Sequence, residues 1–365
     1  MKRLLAFFLC VLCMMSVPAP TFAADTENEV NFYYNGEPVS FVHGIVPADT
    51  AATAAIEDVA RMLGARWSYD RSGRGVTLRY GSHTLRMTVG SSYMNAGRER
   101  IALRSPVTCQ NGRIYIPLED VIDGLHMGYY ADADRKNVYI TRNIGRDPIP
   151  EDVDIPILMY HAVSDETWGA AELFVSPEEM EKQLQYLAEN GYTTITFEDL
   201  PRVDEIEKPV MLTFDDGYRD NYTELFPLLE KYEAKATIFV ITNAIGNDLY
   251  LTAEMIREMS DSGLVSIQSH TDTHPDLDTL NEEDTRKELL TSQVKLMRIT
   301  GLQPFVLCYP TGKYSNTTLD VIDEYYAFGL KMNGGTYNTN QDPFRMNRHY
   351  ISRYTDLSAF AQKIK

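Results

Sequence analysis

From Ile155 to the end, the chain alternates short apolar runs with amphipathic stretches, and few folds accept that rhythm. The runs cover 155–160, 193–197, 209–214, 235–241, 264–269, 304–309, 327–332 and 348–352. Helical patterns lie between them, near 177–190, 221–233, 252–262, 281–300, 315–325 and 356–364. Ser176-Pro177-Glu178-Glu179 is a helix start, with a capping hydroxyl, proline at the first position and acids in the first turn. Thr252 is a second cap, with Glu254 just inside. Strand–helix alternation of this length predicts an α/β fold with a parallel sheet, either a barrel or a doubly wound sheet.

Polar residues gather where these runs end. The run 155–160 leads into His161, 209–214 into Asp215-Asp216, 264–269 into His270, and Phe305 to Cys308 into Tyr309-Pro310-Thr311-Gly312. In a parallel barrel all four ends lie on one face, where catalytic groups collect. His270 and His274, four apart, can present two imidazoles to one ion, and one of the two aspartates can supply an oxygen. That donor set suits Zn²⁺, with Fe, Co or Ni as other divalent options. The remaining carboxylate is then free to take a proton from water. His-x-x-x-His alone is usually incidental, and Asp-Asp-Gly alone is usually a turn. Together at strand ends they predict a hydrolytic metal centre.

Thr213-Phe214-Asp215-Asp216-Gly217-Tyr218 and Ser269-His270-Thr271-Asp272-Thr273-His274 resemble the first two motifs of the polysaccharide deacetylases, carbohydrate esterase family 4. Leu158-Met159-Tyr160-His161, Phe174-Val175-Ser176-Pro177 and the stretch from Gln183-Leu184 to Gly191-Tyr192 resemble its poly-N-acetylglucosamine deacetylase branch. The resemblance spans about 155–365. It implies a distorted (β/α) barrel that hydrolyses N-acetyl groups on a glycan. By position it makes Asp215 the base and Asp216, His270 and His274 the metal ligands. It also makes the backbone N–H of Thr311 an oxyanion donor.

Two departures from the family pattern stand out. The third motif usually carries an arginine that orients the base, and Cys308 stands in its place. No basic residue adjoins Cys308 in sequence, so it reads as a packed small residue. Many members also use a late histidine as general acid. Here the only late one, His349, falls at the start of a predicted strand, on the face away from the site. His161 falls at a strand end, on the correct face, and is preferred as acid or substrate-orienting group. Tyr218, Tyr309, Tyr314 and Asp220 are candidates for the sugar groove.

The N-terminal third is different in kind. Residues 1–23 read as a cleaved secretory signal: Lys2-Arg3, an apolar stretch from Leu4 to Val17, then small residues that suit cleavage after Ala23. From 30 to 141 short strands, turns and two helical stretches form a weak repeat. Asn111 to Leu125 with Tyr129 to Ile140 echoes Ile45 to Gly64 with Trp67 to Leu78. This segment resembles the copper amine oxidase-like N-terminal domain of bacterial surface and exported proteins, a small α+β unit. His43, His83 and His126 lack ligand spacing, so no copper site is expected. The functional expectation is cell-wall contact or spacing. Residues 142–154 read as a linker and 155–365 as the deacetylase domain.

A net charge of −18 argues against nucleic acid as a partner. Cys109 and Cys308, the cysteines beyond the signal, fall in different domains, so no disulfide framework is indicated. No stretch beyond the signal is long and apolar enough to span a membrane. The expectation is a secreted or cell-surface bacterial hydrolase. It would use Zn²⁺ to free acetate from N-acetylglucosamine units. An O-acetyl esterase and a catalytically silent glycan-binding protein are the rival readings.

Overall fold

The structure is a computed structural model and describes residues 30–34, 37–46, 52–81, 83–125, 127–131, 137–141, 147–332 and 334–365. The expected signal, His126 and residues 142–146 of the expected linker lie outside these. No helix among the described residues is long and apolar enough to cross a membrane.

The repeat is visible in the N-terminal domain. Strand Thr53–Ala55 runs into helix α1 (Ile56–Leu63), and strand Arg113–Pro117 runs into helix α2 (Leu118–Gly124). The two strands pair antiparallel, with Tyr115 opposite Ala55. Neither helix has a side-chain N-cap. Instead each carries one buried aspartate that holds a neighbouring loop. Asp58 accepts from the His43 backbone N–H at 2.8 Å, and Asp120 accepts from the Arg104 backbone N–H at 2.8 Å. Pairing the carboxylates with N–H donors offsets their burial. A five-stranded antiparallel sheet, β1 (Arg66–Tyr69), β2 (Gly75–Tyr80), β3 (His83–Thr88), β4 (Tyr93–Ala96) and β5 (Glu99–Ala102), covers the core with Val76, Leu78, Leu85, Met87 and Met94. Tyr139 leaves this domain to pack on Val294 and Met297 of the C-terminal domain.

The C-terminal domain is a distorted (β/α) barrel. Its parallel strands are β6 (Ile157–Tyr160), β7 (Thr193–Ile195), β8 (Pro209–Phe214), β9 (Ala236–Val240), β10 (Val265–Ser269), β11 (Val306–Cys308), β12 (Phe328–Leu330) and β13 (His349–Tyr350). They run in the order β12-β11-β10-β9-β8-β6-β13, with β7 on the first half of β8. Side chains alternate between two cores, as the pleat demands. Leu158, Tyr160, Leu212, Phe214, Ile238 and Val240 face the outer helices, including Met180, Leu184 and Leu187 of α3 (Pro177–Glu189). Ile157, Met211, Phe239, Val306, Cys308 and Phe328 face inward.

Two sequence expectations change in detail. The run 155–160 is divided at Pro156, which has no N–H for a ladder. Ile155 pairs with Tyr337 in a separate small sheet, and the barrel strand starts at Ile157. The helical stretch near 221–233 begins as a π turn, Asn221–Leu225, and continues as α4 (Phe226–Tyr232). Pro227 has no N–H to complete an ordinary turn there. The Ser176 cap forms as expected, accepting from the Glu179 N–H at 3.2 Å.

One extended segment closes the barrel. Met346 bridges to Leu330 on β12, while His349 and Tyr350 pair with Leu158 and Met159 on β6. Arg348 lies in that seam.

Candidate active site and metal centre

Strand β8 delivers the two aspartates. The Asp215 N–H donates to the Tyr160 carbonyl at 2.9 Å, extending the β6–β8 ladder to the barrel rim. The chain then turns sharply, with φ of +75° at Asp216 and +74° at Gly217. A Cβ on Gly217 would sit 3.3 Å from the Val240 Cα, so glycine fits this turn best. Asp215 and Asp216 are 3% and 9% exposed.

Strand β10 delivers the histidines, on a loop rather than a helix. His270 follows Ser269 and donates its N–H to the Val240 carbonyl at 3.0 Å. Thr271 and His274 have φ of +64° and +62°. Glu288 clamps the loop by accepting the N–H groups of Asp272 and Thr273, at 3.0 and 2.8 Å, and the Thr273 hydroxyl at 2.7 Å. With Thr311 at +54°, four residues of this rim hold a left-handed backbone without being glycine. Such strain persists where the surroundings over-determine it, and it gathers at functional sites.

The loops converge on one point. Asp216 Oδ1 lies 3.4 Å from His270 Nε2 and 3.7 Å from His274 Nε2. Zinc bonds of about 2.1 Å in a tetrahedron set ligand atoms about 3.4 Å apart, so this triad fits such an ion. His270 Nδ1 is fixed by the Cys308 carbonyl at 2.8 Å, which aims Nε2 inward. Asp215, His270 and Cys308 form a second group of donor atoms close to one another. A guanidinium occupies its mouth, so this one does not suit a cation.

That guanidinium is Arg348, absent from the expected site. It is 1% exposed. Its Nη1 and Nη2 donate to the two Asp215 oxygens at 2.7 and 2.8 Å, and Nη2 also reaches Cys308 Sγ at 3.1 Å. Nε donates to the Lys331 carbonyl at 2.9 Å. The function expected of a motif arginine at position 308 is therefore met from the barrel seam, and Cys308 leaves it room. Burial alone would raise the Asp215 pKa. The Arg348 charge and hydrogen bonds outweigh that, and the carboxyl is held well below its ordinary range.

His161 sits where the strand-end argument put it, against the Tyr350 ring at 6.4 Å between centroids. Its Nδ1 is buried without a protein partner. Burial lowers its pKa, against the opposing pull of Asp215 and Asp216. His349 points the other way: it shares the face of Leu158 and lies 3.0 Å from the Thr336 hydroxyl. Arg348 and Tyr350, one residue to either side, point inward.

The groove candidates separate. Tyr218 stands at the rim, edge-on to Trp168 at 5.9 Å and beside Tyr250 at 5.2 Å. Tyr309 does not line a groove: it is 0% exposed, and its hydroxyl donates to the Phe344 carbonyl at 2.7 Å. Gly329 makes the space, since a Cβ there would lie 2.2 Å from the Tyr309 hydroxyl. Tyr314 packs on Tyr309 at 4.6 Å. Thr311 follows β11, and its hydroxyl donates to Asp276 at 2.6 Å.

Asp220 mainly holds the His161 loop. Its Oδ1 accepts from the Val163 N–H at 2.8 Å, while Asn221 Nδ2 donates to the His161 carbonyl at 3.0 Å. Burial raises the Asp220 pKa to about 6 from 3.8. The neutral form is thus favoured in the fold. Its stabilising contribution is complete below about pH 4 and lost as pH rises through about 6. Asp220→Asn keeps the acceptor and removes the charge. We expect it to raise stability by about 2–3 kcal/mol at pH 8, with the gain vanishing by about pH 4, as read from melting temperature against pH.

Comparison with known proteins agrees with this geometry. The polysaccharide deacetylase family model matches residues 202–327, and the copper amine oxidase N-terminal domain model matches 33–140. The chain is 34% identical over 217 residues to the candidate polysaccharide deacetylase YxkH of Bacillus subtilis, covering 58% of this chain and 76% of that protein. It is 28% identical over 176 residues to a poly-β-1,6-N-acetyl-D-glucosamine N-deacetylase of Escherichia coli, covering 43% of this chain but 25% of that one. A crystal structure of a polysaccharide deacetylase from Bacillus cereus superposes with a TM-score of 0.57 at 26% identity, over 82% of this chain and 99% of that one. The chain therefore belongs to the polysaccharide deacetylases of carbohydrate esterase family 4, hydrolases, and carries a copper amine oxidase-type N-terminal domain ahead of the barrel.

Proposed function

We propose that the protein is an exported, metal-dependent N-deacetylase that releases acetate from N-acetylglucosamine units of a cell-wall or extracellular glycan. The observation that carries this reading is the division of labour between adjacent carboxylates. Asp215 is locked to Arg348, whereas Asp216 faces two imidazoles. Asp216, His270 and His274 would hold the ion, most simply Zn²⁺, which when bound supplies Lewis acidity to the acetamide carbonyl and to water.

The chain's own groups account for the proton movements. Asp215, ionised and fixed in orientation by Arg348, accepts a proton from the attacking water. The Thr311 N–H donates to the oxygen that gains charge. His161 delivers a proton to the departing nitrogen, so water and acetamide become acetate and amine. Tyr218, with Trp168 beside it, offers a ring face to the sugar. Poly-β-1,6-N-acetylglucosamine is the first polymer to try, given the E. coli relative.

The reading is tested by acetate release from that polymer, from peptidoglycan and from O-acetylated xylan, with and without chelator. Chelator-sensitive release from either N-acetylated polymer supports it. Release from xylan alone would replace it with an esterase, and metal-replete binding without release would replace it with a glycan-binding protein. In the same assay we expect His161→Ala to lower kcat about 10²-fold. His349→Ala should stay within about twofold of the parent, as expected for a substitution away from the reacting groups.

A further inference from the structure

Charge is unevenly divided along the chain. Residues 30–141 carry 12 Arg and Lys against 11 Asp and Glu, whereas residues 142–365 carry 20 against 38. Eleven of those first 12 are arginine, so the N-terminal domain holds a guanidinium-rich surplus that the barrel lacks.

Sheet register gathers part of that surplus on one surface. Arg66 on β1 stands opposite Arg79 on β2, which stands opposite Thr84 on β3. The next row reads Ser68, Thr77, Arg86, Asn95 and Arg100 across all five strands. Tyr93 opposite Ala102 belongs to a third row. These side chains share the face opposite Val76, Leu78, Leu85, Met87 and Met94, which form the core. Arg66, Arg79, Arg86, Tyr93 and Arg100 are all exposed.

No acid stands in the first two rows. Among the described residues none of the four arginines makes an ion pair. Arg100 instead lies over the Tyr93 ring at 4.1 Å. The carboxylate nearest the face, Asp70, is folded over Gly75 at the turn and is taken up by Ser72. Like charges directly opposite one another weaken a sheet, as at Arg66 and Arg79. Among the described residues no acid pairs with either of them, which points to an anionic partner from outside.

The pattern also limits what kind of anion fits. Neighbouring strands are about 4.8 Å apart, so the five-strand row spans about 19 Å. This suits a linear polymer with repeated charges better than a single ion. Arginine interleaved with Ser, Thr, Asn and Tyr is the donor set that phosphodiesters attract, through forked guanidinium bonds and neutral N–H and O–H donors. Tyr93 is the single aromatic ring in the rows, so stacked bases have little platform here. The strongly acidic barrel would repel a bulky nucleic acid but tolerate a thin chain across this one sheet.

We propose that the outer face of β1–β5 binds a linear, base-free phosphodiester polymer, which would hold the enzyme at an anionic surface while the barrel works on a separate glycan. The test uses the full chain and immobilised poly(glycerol phosphate) at about 0.15 M salt, where long-range attraction is largely screened. The parent protein should be retained. Each of Arg66→Gln, Arg79→Gln and Arg86→Gln should weaken retention about fivefold, and the triple variant by about 100-fold. Melting temperature should not fall, since Gln relieves the Arg66–Arg79 repulsion, and acetate release from a soluble oligosaccharide should stay at the parent value, separating lost binding from misfolding. Arg113→Gln, away from the face, should bind as the parent does. The proposal is overturned if the parent is not retained or if the triple variant is retained equally. It is equally overturned if duplex DNA, polyglutamate or phosphatidylglycerol vesicles bind more tightly than the polymer.

Discussion

Asp215→Asn should lower the rate of acetate release by about 10³-fold or more and leave the metal ligands in place. The size follows from the work assigned to the carboxylate. General-base catalysis contributes about 10²–10⁴-fold, and an amide cannot accept the proton. The substitution also disturbs a buried pair. Arg348 sends Nη1 and Nη2 to separate oxygens of Asp215. In the variant one of those oxygens becomes an NH₂ group facing a donor, and the guanidinium keeps its charge with no counter-charge. Breaking a buried pair in this way costs about 3–5 kcal/mol, so the variant should also melt earlier. Asp216, His270 and His274 make no hydrogen bond to this pair, which makes intact metal uptake part of the same expectation.

Arg348→Met is the second large effect, and it separates positioning from chemistry. The carboxylate remains, but Asp215 is buried and loses the charge that holds its pKa down. In the parent the depressed pKa contributes stability above about pH 4, which is lost only as pH falls through the folded value. Without Arg348 burial acts unopposed, and the pKa moves up. The acid limb of the pH–rate profile should therefore shift to higher pH, and activity should partly recover on raising the pH. Stability should fall by about 3–5 kcal/mol. Arg348→Lys restores charge but lacks the fork that reaches both oxygens and Cys308 Sγ, and should recover part of each loss. The double variant Asp215→Asn with Arg348→Met should be less destabilised than the two single losses predict, because it removes both charges.

Much of this centre is legible in the sequence because its parts are local. Asp215, Asp216, His270 and His274 each follow an apolar run by one to five residues, and a parallel barrel brings such positions to one rim. The strand-end rule also separates His161 from His349. Arg348 is hidden for a physical reason. It lies 133 positions from Asp215, just before a two-residue strand whose partner is fixed only when the barrel closes. The signal was present in part: if His349 points outward, the residue before it points inward. An inward arginine at a barrel seam then needs a buried acid. Cys308 is the other half of that signal, a small residue where a motif arginine would compete for the same space.

Tyr309 departs from the groove for a similar reason. The residue after a strand end belongs on the catalytic rim by topology, but its ring turns under the rim into the space left by Gly329. A glycine inside a short apolar strand marks such a close approach. Recognising it requires knowing which strand lies next to β11, and that pairing is not local information.

The central claim is that one carboxylate moves the proton while its neighbour holds the ion. It is tested most directly by measuring bound metal and acetate release on the same samples of the parent, Asp215→Asn and His270→Ala proteins. The account predicts parent-like metal content without acetate release for Asp215→Asn, and loss of both for His270→Ala. Parent-like acetate release from Asp215→Asn, or loss of its metal together with its activity, would contradict it.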